Sequence, residues 1–444
     1  MQKSFPRGHK KLLHAWAFYD WANSVYSLTI ASAVFPIFYG TLFKIAGTTY
    51  IQLFGIPFKN TAIVTFTTAL AFLLVAVLSP ILSGIADYLG NKKTFMRFFC
   101  ILGALSCIGL YWFSLENIYW GLTFYFLGVI GFWSSIVFYN SYLPDIALPH
   151  QYDTISARGF IMGYIGGVVL LIFNLAMVMY PTFFGIQGDE IQATVKAMKV
   201  SFITVGIWWI VFSQYSFYYL PSFKKKGRKI KTSVIFDGHK ELLGVWKILK
   251  QTQELKGFLF AFFIYSMGVQ TVMLVATYFG EQEILWKDNQ QRTLGLIISI
   301  LIIQLVAALG AKLTAIASKK FGNLLVLIVL NLIWIAICLI AYQVYLPTHF
   351  YATAGLVGLV MGGIQTLSRS TYSKLLPETQ DTTSFFSFFD VSEKIGIVIG
   401  MLFYGIIDQI TGSMRNSVGV LVFFFALGVF LLVKVYRMEK RKKT

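Results

Sequence analysis

Apolar residues run in long blocks along this chain, and polar residues gather in short stretches between them. A block of roughly 20 mostly apolar residues is long enough for an α-helix to cross a bilayer. Twelve blocks meet that length: 14–42, 60–86, 94–114, 118–143, 156–180, 199–220, 257–281, 292–316, 322–343, 349–375, 383–407 and 415–436. The pattern predicts an all-α, multi-pass membrane protein of twelve transmembrane helices. Lys3, Arg7, Lys10 and Lys11 precede the first block as they would in a secretory leader. That block is too long for a leader, and no small-residue cleavage site follows, so it reads as an uncleaved first helix.

Composition agrees. Of the 444 residues, 57% are hydrophobic and 13% charged, with a mean hydropathy of +0.69. Soluble domains are about a quarter charged, so this chain cannot face water on all sides. With 37 Gly, 10 Pro and 3 Cys, it is not collagen, a disordered chain or a disulfide scaffold. Cys100 and Cys107 lie two turns apart on one block, too far to bridge, and Cys338 has no evident partner. All three read as packing residues.

The net charge of +18 would point to nucleic acid in a soluble protein. In a membrane protein it follows from the enrichment of Lys and Arg on the cytoplasmic side. Twelve spans place both ends on one side, and that side holds 29 of the 37 basic residues. The other side holds Lys44, Lys59, Lys196, Lys199, Lys287, Arg292 and Arg415, and Lys394 lies inside span 11. Both termini are therefore expected in the cytoplasm.

The longest polar stretch, Pro221 to Lys256, falls between spans 6 and 7 and carries ten cations: Lys224, Lys225, Lys226, Arg228, Lys229, Lys231, Lys240, Lys247, Lys250 and Lys256. It divides the chain into a six-helix unit, 1–220, a basic cytoplasmic linker, 221–256, and a second six-helix unit, 257–444. Leu242, Trp246 and Leu249 share one helical face of the linker. It reads equally as a helix on an anionic leaflet and as a solvated connector.

Internal repeats tie the two units together. Gly90 and Gly322 follow spans 2 and 8 at an offset of 232 residues. Tyr-x-x-x-Leu-Pro-acid recurs at Pro144 and Pro377, 233 apart, and Gly-x-x-x-Gly recurs at Gly163/Gly167 and Gly396/Gly400, also 233 apart. Six is an even number of spans, so the units are parallel repeats about an axis along the membrane normal, the arrangement of major facilitator transporters. The glycine pairs are expected to let spans 5 and 11 pack closely against the opposite unit.

Several motifs carry a resemblance. Gly84-Ile85-Ala86-Asp87-Tyr88-Leu89-Gly90-Asn91-Lys92-Lys93 resembles the major facilitator loop between helices 2 and 3, with Tyr88 where an Arg is usual. Its glycines permit a tight turn, and Asp87 can cap a neighbouring helix. Lys92 and Lys93 are expected to face lipid headgroups. The loop reads as a latch closing the cytoplasmic side, or as a plain charged turn. Span 1 carries Trp16-Ala17-Phe18-Tyr19-Asp20-Trp21-Ala22-Asn23-Ser24, and span 4 ends Tyr139-Asn140-x-x-Leu143-Pro144-Asp145. Ser156-Ala157-Arg158-Gly159, Gln365-Thr366-Leu367-Ser368-Arg369-Ser370 and Asp390-x-x-x-Lys394 follow. Together these are similar to the autophagy-related vacuolar amino-acid effluxers and their bacterial relatives, over nearly the whole chain. In span 7, Met267 stands where relatives often carry an acid. The resemblance implies a major facilitator fold, a transporter, and the inner membrane of a bacterium.

Charge at bilayer depth is costly, so polar residues inside spans need a reason. Asp20 could carry a proton, pair with a substrate amine, or tie span 1 to a neighbour. Arg369 could act in the site or merely snorkel to the interface. Asp390 and Lys394 are four apart, acid first, as a same-face pair requires, and Glu393 offers Lys394 a second acid. Asn23, Tyr139, Asn140, Asn174, Gln270, Gln304, Gln365 and Ser368 are further candidates for the cavity or for interhelical bonds.

No Walker loop or enzymatic cluster appears, and the five His are scattered without metal-ligand spacing. The chain is expected to be no enzyme and to need no cofactor, metal or nucleic acid. It reads as a monomeric secondary transporter of a small polar solute, such as an amino acid, coupled to protons through Asp20. The alternatives are a lipid or drug exporter and a non-transporting receptor on a transporter fold.

Overall fold

A computed structural model describes residues 5–53, 55–222, 234–411 and 413–443. Twelve long helices follow in order: α1 (Lys10–Ile45), α2 (Asn60–Leu89), α3 (Lys92–Gly109), α4 (Ile118–Ser141), α5 (Tyr152–Met179), α6 (Glu190–Tyr219), α7 (Gln253–Glu283), α8 (Asn289–Phe321), α9 (Asn323–Ala341), α10 (Pro347–Leu375), α11 (Thr382–Thr411) and α12 (Met414–Lys443). Eleven of them are apolar enough to cross a membrane on composition alone. The twelfth, α11, carries Asp390, Glu393 and Lys394 in its middle.

The ends of these helices follow local chemistry. Gly90, at φ 63°, ends α2 in the left-handed conformation, and the Asn91 amide closes back on the Ala86 carbonyl at 2.9 Å. Asp189 and Asp288 cap α6 and α8 by accepting backbone amides at 2.8 and 2.7 Å. Pro347 opens α10, where its missing N–H costs nothing.

Two features depart from the sequence pattern. Residues Tyr26–Ala33 of α1 are π-helical. Between α1 and α2 the chain forms a hairpin, Tyr50–Leu53 against Ile56–Lys59, with Tyr50 opposite Lys59.

Aromatic rings dominate two cores. One runs from Leu13 to Leu220, where Trp16 stacks on Tyr139 and Tyr26 on Phe132 at 4.6 and 4.8 Å. The other gathers residues from Val245 to Val435, where Trp334 stacks on Phe425 at 5.3 Å. Cys100, Cys107 and Cys338 are free thiols buried in these cores.

The linker cations Lys224, Lys225, Lys226, Arg228, Lys229 and Lys231 lie outside the described residues, as do Lys3 and the Leu242 side chain. A helix spans Val234–Gln251 and packs on α2 and α11. Among its described side chains Val245 and Leu249 are buried, and Trp246 stacks on Phe388 at 5.6 Å. Lys240, Lys247 and Lys250 are exposed.

The glycine pairs do not serve the interface expected of them. A Cβ on Gly163 or Gly167 would meet Ser24 and Leu28 of α1, and one on Gly396 or Gly400 would meet Ser266, Met267 and Thr271 of α7. Each pair seats its helix on a partner of the same six-helix group. Spacing marks a close approach, but tertiary packing chooses the neighbour.

Candidate functional site

The face of the bundle on which the described chain begins, here the proximal face, is where polar side chains bridge α1–α6 and α7–α12. Three connections and a deeper cluster make up the seam.

The first connection is the loop after α2. Asp87 is buried and accepts the amide N–H groups of Thr383 and Ser384 at 3.3 and 2.6 Å. It thereby caps α11 and sits on the positive end of that helix. Lys92 does not face headgroups. It is 5% exposed, pairs with Asp145, and donates to the Ser141 carbonyl and Thr382 hydroxyl at 3.0 Å. Lys93 is likewise drawn inward and donates to the Leu220 carbonyl at 2.7 Å. The first turn of α3 is tucked beside the ends of α4 and α6, so both ammonium groups find protein acceptors sooner than lipid. Gly84 is buried in the last turns of α2, and Gly90 makes the turn that lets Asp87 and Lys92 converge.

The second connection was not legible in the sequence. Asp153, in the first turn of α5 and 3% exposed, accepts from Ser318 at 3.2 Å, Asn323 at 2.7 Å and Lys374 at 2.5 Å. Asn323 occupies the position 232 residues beyond Asn91, so this contact and the Asp87 cap are pseudo-symmetric. The repeat offset was the available signal. What hid the pairing is that the acid has moved from the loop to the helix it meets.

The third connection joins Asp20 of α1 to Arg369 of α10. Arg369 does not snorkel. It is 4% exposed, and its guanidinium lies 3.5 Å from Asp20. It also donates to the Ser156 hydroxyl and carbonyl at 3.0 and 2.8 Å and to Asn140 at 3.2 Å. The rings of Phe160 and Trp16 flank it at 4.1 and 4.7 Å. The Tyr139 hydroxyl donates to Asp20 at 2.6 Å, and the Trp16 indole fixes the Tyr139 carbonyl at 2.8 Å. Gly159 makes room, since a Cβ there would lie 2.5 Å from the Asp20 carboxylate. Asn23 is buried one turn beyond Asp20, and its amide nitrogen has no hydrogen-bond partner among the described residues.

Farther from the proximal face, Tyr164 donates to Gln365 at 2.6 Å across the seam. The cluster on α11 completes it. Lys394 donates to Asp390 at 2.7 Å and Glu393 at 2.9 Å, and its ammonium sits 3.7 Å above the Trp133 ring of α4. Ser79 of α2 donates to Asp390 at 3.3 Å, and Gln270 of α7 donates to Glu393 at 2.5 Å. Ser368 bonds Tyr265, and Asn174 accepts from Thr204, so both belong to bonds within one six-helix group. Gln304 is half-buried on α8.

On the proximal side, a cavity of about 740 Å³ opens between the two groups, with Arg7, Asp87, Asp145, Lys374, Glu378 and Thr382 among its walls. No cluster of three or more His, Cys, Asp or Glu able to hold a metal ion occurs among the described residues.

Residues 8–444 match the family model described as vacuole effluxer Atg22 like. An uncharacterized MFS-type transporter of Bacillus subtilis strain 168, YxiO, is 31% identical over 427 residues, covering 95% of this chain and 94% of its own. Autophagy-related protein 22 of Yarrowia lipolytica is 24% identical, covering 88% and 79%. Among solved structures, the major facilitator transporter FucP in its outward conformation superposes with a TM-score of 0.69 at 13% identity, over 96% of this chain and 98% of that one. The proton:xylose symporter XylE superposes with a TM-score of 0.65, also at 13% identity, over 96% and 95%.

Proposed function

The chain belongs to the Atg22-like vacuole effluxer family and is a multi-pass major facilitator transporter, not an enzyme; from this we propose that it moves a small polar solute, an amino acid first among the candidates, by proton-coupled alternating access. The moving bodies are residues 1–220 and 257–444, joined by 221–256. The protein works as a monomer in a bacterial inner membrane with both termini in the cytoplasm. The proximal face is then the cytoplasmic one, and the described state is closed there.

One observation carries the reading of a zwitterionic solute: the buried Asp20–Arg369 pair has one partner in each half. Opening the proximal face parts α1 from α10 and leaves an anion on one wall and a cation on the other. Each is costly unless something of opposite charge replaces its lost partner. An α-amino acid brings an ammonium and a carboxylate on one small body. A lipid or drug exporter with an uncharged substrate has no group to replace either lost partner of a charge pair divided between the two walls. The name of the proton:xylose symporter XylE speaks of proton coupling in that protein, and it supports the coupled part of the proposal rather than the choice of solute.

The test is uptake by proteoliposomes holding the full chain, against panels of amino acids, peptides and sugars, with and without a pH gradient. Amino-acid uptake that becomes concentrative when the gradient is imposed is the expected result. Transport confined to sugars or peptides, or indifferent to the gradient, would overturn the corresponding part.

A further inference from the structure

The α11 cluster has a charge count that the Asp20–Arg369 pair does not. Asp20 and Arg369 balance one for one. On α11, two carboxylates, Asp390 and Glu393, share the single ammonium of Lys394. The cluster lies about 16 Å along α11 from Thr382, well inside the bundle. Asp390 and Lys394 are sealed, at 5% and 1% side-chain exposure, whereas Glu393 retains 19%.

Among the described residues, the elements packed on α11 do not restore the balance. α2 supplies Ser79, and its one charged residue, Asp87, is an acid engaged by the first turn of α11. α4 supplies the Trp133 ring and has no charged residue along its length. α7 supplies Gln270 and the phenol of Tyr265, which is bonded to Ser368. The cations of α12 lie at its ends, where Arg415 is held by Glu283. Lys247 and Lys250 of the linker helix are exposed.

We infer that Glu393 is the proton-binding group of the transport cycle, with Asp390 and Lys394 as the neutral pair it works against. The inference rests on the alternating-access reading and moves the proton from Asp20, where the sequence pattern had placed it, to α11. The proton adds to the Glu393 carboxylate, and the cluster passes from one net negative charge to none. With the proton bound, the closed proximal arrangement surrounds a neutral site with α2, α4 and α7. Without it, two carboxylates share one ammonium inside the bundle, with only the neutral Gln270 amide and Ser79 hydroxyl added to them among the described residues, and one negative charge is left over. Parting α11 from α2 and α4 at the proximal face lets water reach the cluster. Proton loss therefore favours opening, and proton binding favours closure.

The experiment needs no knowledge of the solute. Spin labels on His150→Cys and Gln380→Cys, both exposed on the proximal face and in opposite halves, report their separation in the full chain in lipid nanodiscs. The three native thiols are buried and do not compete. In the otherwise native protein the population of the wide separation should rise with pH, by up to about tenfold per unit for one linked proton. Glu393→Gln and Asp390→Asn each leave a neutral pair, so either should abolish the response; if one fails to fold, the other still decides. Two separations that interconvert without regard to pH, or either purified variant responding like the parent, would overturn the proton site while leaving alternating access intact. A single fixed separation at every pH would count against both.

Discussion

Replacing Arg369 with Gln removes the cation from the seam and leaves Asp20 buried at 6% exposure with only the Tyr139 hydroxyl to stabilise it. Breaking a buried ion pair from one side costs about 3–5 kcal/mol, because the remaining charge is left unpaired. The loss falls on the closed state, since the donors to Ser156 and Asn140 also cross between the halves. About 3 kcal/mol corresponds to roughly a 150-fold fall in the closed-to-open ratio. Adding Asp20→Asn to Arg369→Gln removes the stranded charge, and the double variant should regain about 2 kcal/mol. Thermal unfolding of the purified variants reads the stability, and the spin-label separation between cysteines at positions 150 and 380 reads the population. If the single variant lost less than about 1 kcal/mol, the pair would not be an energetic lock. If the double variant were no better than the single, the two groups would not be coupled.

Two further outcomes follow from particular residues. Gly159→Ala forces a methyl group to within 2.5 Å of the Asp20 carboxylate and 3.0 Å of both Arg369 and Tyr139. It should destabilise the protein by about 1–3 kcal/mol and cut transport, whereas Gly419→Ala, with open space around it, should do neither. Cysteines at His9 and Lys440 should react only with reagents in the cytoplasm and one at Lys287 only with reagents outside; labelling of His9 from outside would refute the orientation.

The helices were legible because each is an apolar block of bilayer length, and the twofold plan because three short motifs repeat at offsets of 232 or 233 residues. The first helix hid its π-helical turn because apolar content says nothing about hydrogen-bond period. The functional pairs were harder. Asp20 and Arg369 stand out in sequence as charges within apolar blocks, yet nothing at 349 residues' separation says that they meet. Lys92 was misread because a lysine beside a lipid surface and a lysine beside Asp145 have the same local pattern. Asp153 was passed over, and Gly159 stood in a motif without a role, because each looks ordinary until a neighbour from another helix is set against it. Glu393 was noticed as a second acid for Lys394, but its excess charge emerges only when the described residues packed on α11 supply no further cation.

The central claim is that the proximal face must open for solute to cross. Ser141 of α4 and Thr383 of α11 are buried in opposite halves, with their hydroxyl oxygens 3.4 Å apart. That spacing suits a disulfide once both are cysteine. In proteoliposomes holding Ser141→Cys/Thr383→Cys, counterflow of the amino acid that the uptake panel identifies should proceed under reduction. It should stop on oxidation, in proportion to the fraction cross-linked, and return with reductant. A fully cross-linked protein that exchanges solute at the reduced rate would contradict the account.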